Sequence, residues 1–118
     1  MLDITSGGTP GPQIADELLL LDNNVYGSVA DAPPLQDIAE SFVLKGWRAR
    51  RSSWTDFEVE CEWVRIELQQ TSDGVLFSGI VDPARLDDLG AVLTAFDLRF
   101  SMELWSTDRT ELLRELRS

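Results

Sequence analysis

Asp73-Gly74 stands between two stretches, 64–72 and 75–81, in which apolar residues recur at every second position. An Asp-Gly pair in that setting is the signature of a two-residue type I′ hairpin. The turn needs positive φ at both positions, and its twist matches the twist of the flanking strands. The pair therefore commits this part of the chain to an antiparallel sheet with one buried face. It also implies a register: Ser72 opposite Val75, Leu68 opposite Gly79 and Arg65 opposite Asp82.

The same period extends upstream. Phe57, Val59, Cys61 and Trp63 alternate with Glu58, Glu60 and Glu62, as a strand between core and water requires. The phase slips after Trp63, where Val64, Ile66 and Leu68 take over the apolar set, and a β-bulge near Trp63 would restore the faces. Trp47, Ala49 and Arg51 alternate with Arg48 and Arg50, and 52–56 reads as a turn, which completes a three-strand meander.

Helical spacing flanks the meander. Leu35, Ile38, Ala39, Phe42 and Val43 form an apolar stripe, with Asp31, Pro33 and Pro34 at its entry and Gly46 where a left-handed cap belongs. Asp82-Pro83 opens another helix, with Leu86, Leu89, Leu93 and Phe96 inward and Asp87 and Asp88 near its positive end. Gly90 costs that helix about 1 kcal/mol relative to Ala, for which close packing on the sheet is the expected reason. Leu98, Phe100, Met102 and Leu104 then alternate with Arg99, Ser101, Glu103 and Trp105. The last segment reads either as a helix opened by Asp108 and Glu111 or as a strand over 111–117. The strand is favoured, because the preceding strand needs a partner. At the other terminus, 1–11 reads as a flexible leader rich in Gly, Pro, Ser and Thr, 12–22 as a short helix carrying Ile14, Leu18 and Leu21, and 25–34 as a loop. The expectation is one α+β domain over 12–118. It has a mainly antiparallel sheet of about five strands, the meander plus a C-terminal strand pair, packed with two or three helices on one face.

Composition narrows the function. Twenty-one acids against ten bases give a net charge of -11, which repels phosphate backbones and anionic lipid, so neither nucleic acid nor a membrane is expected as partner. The same charge would steer a basic protein into contact. The apolar run 18–21 is far short of the roughly 20 residues needed to cross a bilayer, and 1–11 lacks the features of a signal peptide. Cys61 is the only cysteine, which excludes an intramolecular disulfide and suits a reducing cytoplasm. The chain has no histidine, which removes Ser-His-Asp and Cys-His nucleophile systems and nearly all zinc chemistry.

The remaining candidates are carboxylates and aromatics. Glu58, Glu60 and Glu62 form a row that could hold a hard cation or serve as an acid/base pair. A five-residue turn at 52–56, however, puts Arg50 opposite Glu58 and Arg48 opposite Glu60, which makes them cross-strand ion pairs. Glu62 is left as the available acid. The run Asp22-Asn23-Asn24-Val25-Tyr26-Gly27 imitates the start of a calcium loop but has Pro33 where a bidentate Glu is needed. Gly7-Gly8-Thr9-Pro10-Gly11 has no Lys-Ser/Thr after it and is no phosphate-binding loop. No catalytic residue, metal or cofactor is expected. Trp47 shares the apolar phase, and Trp63 sits at the slip. Trp54 in a turn and Trp105 in a polar phase are the candidate aromatic anchors for a partner, together with Glu62.

The runs Gly46-Trp47, Ser53-Trp54-Thr55-Asp56-Phe57-Glu58-Val59, Glu103-Leu104-Trp105 and Leu112-Leu113-Arg114-Glu115-Leu116 resemble a pattern in small uncharacterised bacterial proteins, over 35–117. In size, charge and strand content the chain also resembles small acidic immunity proteins, which block toxins of neighbouring bacteria. That resemblance implies a non-enzymatic interaction domain inhibiting a basic toxin. Two other readings compete: a small-molecule-binding domain or carboxylate-based enzyme, and a self-associating protein, a homodimer joined by a strand edge or aromatic patch.

Overall fold

The computed structural model describes residues 4–118. Its strands are β1 (Val25–Ala30), β2 (Arg48–Arg51), β3 (Phe57–Cys61), β4 (Val64–Gln70), β5 (Gly74–Val81), β6 (Arg99–Trp105) and β7 (Leu112–Arg117). Helix α1 (Leu35–Leu44) lies between β1 and β2, and α2 (Leu86–Ala95) between β5 and β6. All pairings are antiparallel, in one sheet of order β2-β3-β4-β5-β1-β6-β7. The class is α+β as expected, but the strands number seven rather than about five.

Two strands account for the difference. The phase slip at Trp63 is a hairpin turn rather than a bulge: Cys61 pairs with Val64, and Glu62-Trp63 form the connection. A two-residue turn and a bulge leave the same trace, because both put two core-facing residues an odd number of positions apart. The segment 25–34, expected to be a loop, contains β1, which pairs with β5 on one side and β6 on the other. Val25 and Val29 face the core, and at Gly27 a Cβ would collide with the Phe77 ring and the Ser101 carbonyl. The glycine that suggested a loop is where three strands crowd.

The expected helix over 12–22 reduces to a 3-10 turn, Asp16–Leu20, that buries none of its residues. Ile14 is buried ahead of it. The Asp73-Gly74 hairpin joins the expected strands, but its register is shifted by two, with Gln70 opposite Val75, Leu68 opposite Phe77 and Arg65 opposite Ile80. Thr71 N–H donates to the Gly74 carbonyl at 2.8 Å, so Ser72-Asp73 are the turn residues. Neither has positive φ, which excludes type I′. The Thr71 hydroxyl accepts the Gly74 N–H at 3.1 Å and takes the closing role assigned to the Asp-Gly backbone. A slip of two keeps every side chain on its expected face.

Both helices cover one face of the sheet. Leu35, Ile38, Ala39 and Phe42 of α1 and Leu86, Leu89 and Leu93 of α2 pack on the inward residues of the strands. Gly46 ends the α1 segment at φ +100, and the Asp82 carboxylate accepts the Ala84 N–H at 3.0 Å at the start of the α2 segment, both as the sequence implied. An aromatic chain ties the layers: Phe96 meets Phe42 at 5.0 Å, Phe42 meets Trp47 at 4.7 Å, and Trp47 meets Trp63 at 5.6 Å. Arg85 closes it, 4.5 Å from the Trp63 ring centre. Gly90 does lie close to the sheet, but a Cβ there would sit 3.5 Å from Leu116 and Phe100, an ordinary contact.

Of the segment read as a flexible leader, 1–3 lie outside the described residues, and 4–11 make specific contacts along β2. Thr9 N–H donates to the Ala49 carbonyl at 2.8 Å, the Thr9 hydroxyl accepts the Ala49 N–H at 3.0 Å, and Arg51 N–H donates to the Thr5 carbonyl at 2.9 Å. Ile4 is buried in the main core.

Candidate functional site

Antiparallel order sends each connection to one of two sheet ends. The β3–β4 turn with Glu62, the end of β5, the start of β1 and the β6–β7 connection after Trp105 share one end. The β2–β3 connection with Trp54 and the β4–β5 turn lie at the other. Glu62 and Trp105 are thus at the same end, but the β3–β4 turn lies three to four strands from β6, roughly 14–19 Å at the usual strand spacing. Trp54 does not join them.

Trp54 is 93% exposed, and its carbonyl accepts from Arg51 Nη1 at 2.9 Å. It borders an open cleft of about 420 Å³ with Ser6, Arg51, Ser52 and Ser53. Glu62 is exposed in its turn, and its carbonyl accepts the Ala15 N–H at 2.9 Å, which holds the segment before the 3-10 turn against the sheet. Trp105 is half-buried on the face away from the helices, and its Nε1 donates to Glu103 Oε1 at 3.2 Å.

The carboxylate row resolves into separate roles. Glu58 pairs with Arg50 at 3.0 Å and Glu60 with Arg48 at 3.0 Å, in the register expected from the five-residue turn. Glu60 is only 5% exposed, and its second oxygen accepts the Ile14 N–H at 3.0 Å. It holds the segment around Ile14, just after the leader, to the sheet. Glu62 leaves the row, because it belongs to the turn. Among the described residues no group of three His, Cys, Asp or Glu side chains is placed to hold a metal ion. Cys61 is buried, and burial pushes its thiol above the ordinary range. The thiol is therefore a poor nucleophile.

The end shared by Glu62 and Trp105 gathers several carboxylates that no arginine or lysine among the described residues neutralises. Asp16, Glu17, Asp22, Glu62 and Glu111 make no ion pair among the described residues. On the 3-10 turn between Glu17 and Asp22, Leu20 is 87% exposed, with Leu19 half-exposed beside it. Sequence reasoning placed the neighbouring leucines on a buried helix stripe and so missed this apolar tip. A single helical turn cannot bury a stripe. Asp108, in the β6–β7 connection, is held down to about 2 by hydrogen bonds from the Ser106 and Thr110 hydroxyls and the Thr110 N–H. That carboxylate is committed to its own turn.

No protein-family model, curated protein or solved structure matches the chain. Among the described residues no helix is long and apolar enough to cross a membrane.

Proposed function

We propose that this is a non-enzymatic protein-binding domain of the cytoplasm that docks a basic protein, acting as its inhibitor, through the sheet end bearing Glu62 and Trp105. The observation that carries this reading is the contrast between two sets of carboxylates. Glu58 and Glu60 are neutralised by arginines within the fold, whereas Asp16, Glu17, Asp22, Glu62 and Glu111 make no ion pair among the described residues, around the exposed Leu20 and the half-buried Trp105. Unpaired acids speed the encounter with a cationic surface, and an apolar side chain among them supplies burial once contact is made. A carboxylate-based enzyme finds less support, since Glu58 and Glu60 are tied in ion pairs and the cleft beside Trp54 is lined by no acid.

The test is titration calorimetry against the basic proteins that co-purify with the chain, comparing wild type with Trp105→Ala and with Asp16→Lys/Glu17→Lys. Trp105→Ala should weaken binding on the order of tenfold or more while the melting temperature stays nearly unchanged. The charge reversal should slow association and flatten its salt dependence. Unchanged affinity and association rate in both variants would sink the proposal.

A further inference from the structure

The outer edge of β7 is unpaired among the described residues, since the sheet order ends there. Its backbone orientation follows from the ladder. Ser118 N–H donates to the Phe100 carbonyl at 3.0 Å, and the register continues as Arg117 with Ser101, Leu116 with Met102, Glu115 with Glu103 and Arg114 with Leu104. Antiparallel pairs alternate between bonded and unbonded. Leu116 and Arg114 therefore direct their backbone groups toward β6, and Glu115 and Arg117 direct theirs outward. The side chains of Glu115 and Arg117 lie exposed on the face away from the helices, with no ion pair among the described residues.

We propose that this edge is a homodimerisation site, at which a second copy's β7 pairs antiparallel with Glu115 opposite Arg117 in both directions. A two-fold axis that joins two such edges stands perpendicular to the sheet and preserves its faces, so outward residues meet outward residues. Within reach are registers that set Glu115 against Glu115, Arg114 against Arg114, or Glu115 against Arg117. The first two oppose like charges. The third forms two reciprocal Glu–Arg pairs on the open face and puts Leu116 on the axis at the helix face. It also relieves a strain within each chain, because Glu115 stands directly opposite Glu103 with no counter-charge between them. The incoming Arg117 supplies that charge. An occupant with this self-complementary pattern is a second copy of the chain, and the edge lacks the Pro that commonly blocks such pairing.

Sedimentation velocity of the full chain from micromolar to millimolar concentration tests the proposal. A monomer–dimer equilibrium is expected. Arg117→Glu should weaken it on the order of tenfold or more, and the swap Glu115→Arg/Arg117→Glu should restore most of the loss. Glu115→Pro should abolish the dimer with little change in melting temperature, because the Glu115 N–H faces outward and makes no bond within the fold. A monomer across the whole range overturns the proposal. So does a dimer that survives Glu115→Pro, a charge swap that fails to restore association, or pairing only with a separate basic strand.

Discussion

The two lateral edges of the sheet have opposite fates. At β2, residues Thr5 and Thr9 hydrogen-bond to Arg51 and Ala49, Arg48 reaches the Gly7 carbonyl at 3.0 Å, and Glu60 fixes Ile14. Gly11 passes so close that a Cβ would stand 2.9 Å from the Arg48 backbone nitrogen. At β7, Leu112 and Leu113 are half-exposed and the outward backbone groups of Glu115 and Arg117 have no partner strand among the described residues. An edge strand offers unsatisfied donors and acceptors, and natural sheets cover it, charge it or pair it. This chain covers one edge with its own N-terminal segment and leaves the other charged in a self-complementary pattern. The two edges are therefore separable by mutation: the covered one contributes to stability, and the open one is where the proposed association is tested.

The largest effect should come from breaking the covered edge. Glu60→Ala removes one partner of a nearly buried ion pair and orphans the Ile14 N–H. Loss of a fully buried partner costs roughly 3–5 kcal/mol, but Arg48 is partly solvated and keeps its bond to Gly7. A loss of about 2 kcal/mol is therefore expected in urea denaturation. Glu58→Ala, in a more exposed pair on the same strand, should cost less than half of that. Equal effects would show that Glu60 does not anchor the N-terminal segment.

On the β7 side the comparison can be sharpened by adding stability. Gly90 of α2 faces Leu116 of β7 and Phe100 and Met102 of β6, with room for a methyl group at ordinary contact distance. Gly90→Ala should stabilise the protein by about 1 kcal/mol, through helix propensity and the reduced entropy of the unfolded chain. A destabilised variant, measured in the same urea series, would show that α2 and β7 are already packed to their limit.

Much of this arrangement could be read from the residues. The pairings of Arg50 with Glu58 and Arg48 with Glu60 follow from alternation and turn length, α1 and α2 from helical spacing, and the closing strand from the need of the preceding strand for a partner. The misses have physical causes. β1 reads as a loop because Gly27, Pro33 and Pro34 look like breakers. Its place between β5 and β6 is fixed by partners far along the chain, and Asn24 completes it. The Asn24 side chain extends the ladder to Val81, accepting its N–H and donating to its carbonyl, each at 2.9 Å. An Asn at the end of a predicted helix gives no hint of that duty. The split at Glu62-Trp63 was visible as a slip, but periodicity cannot separate a bulge from a two-residue turn. Glu62 and Trp105 were singled out one residue at a time, and only strand order shows that they share an end while Trp54 does not.

The smallest expected effect concerns pH and again separates the edges. Asp108 is held at about 2 by the Ser106 and Thr110 hydroxyls and the Thr110 N–H, against an ordinary value of 3.8. Asp87 is lowered as well, by its hydrogen bond from Arg114, which ties α2 to β7. A carboxylate whose folded value lies below its unfolded value adds stability above the unfolded value and loses it as pH falls through the folded one. Both groups lie on the β7 side, Asp108 in its turn and Asp87 against its strand. Acid should therefore loosen that side between about pH 4 and pH 2, where Asp108 takes up its proton. Melting curves of wild type and Asp108→Asn should differ above this window and converge within it. Both residues are exposed, so the shift should be smaller than for Glu60→Ala or Gly90→Ala. A difference that stays constant across the window would mean that Asp108 holds its turn by shape rather than by charge.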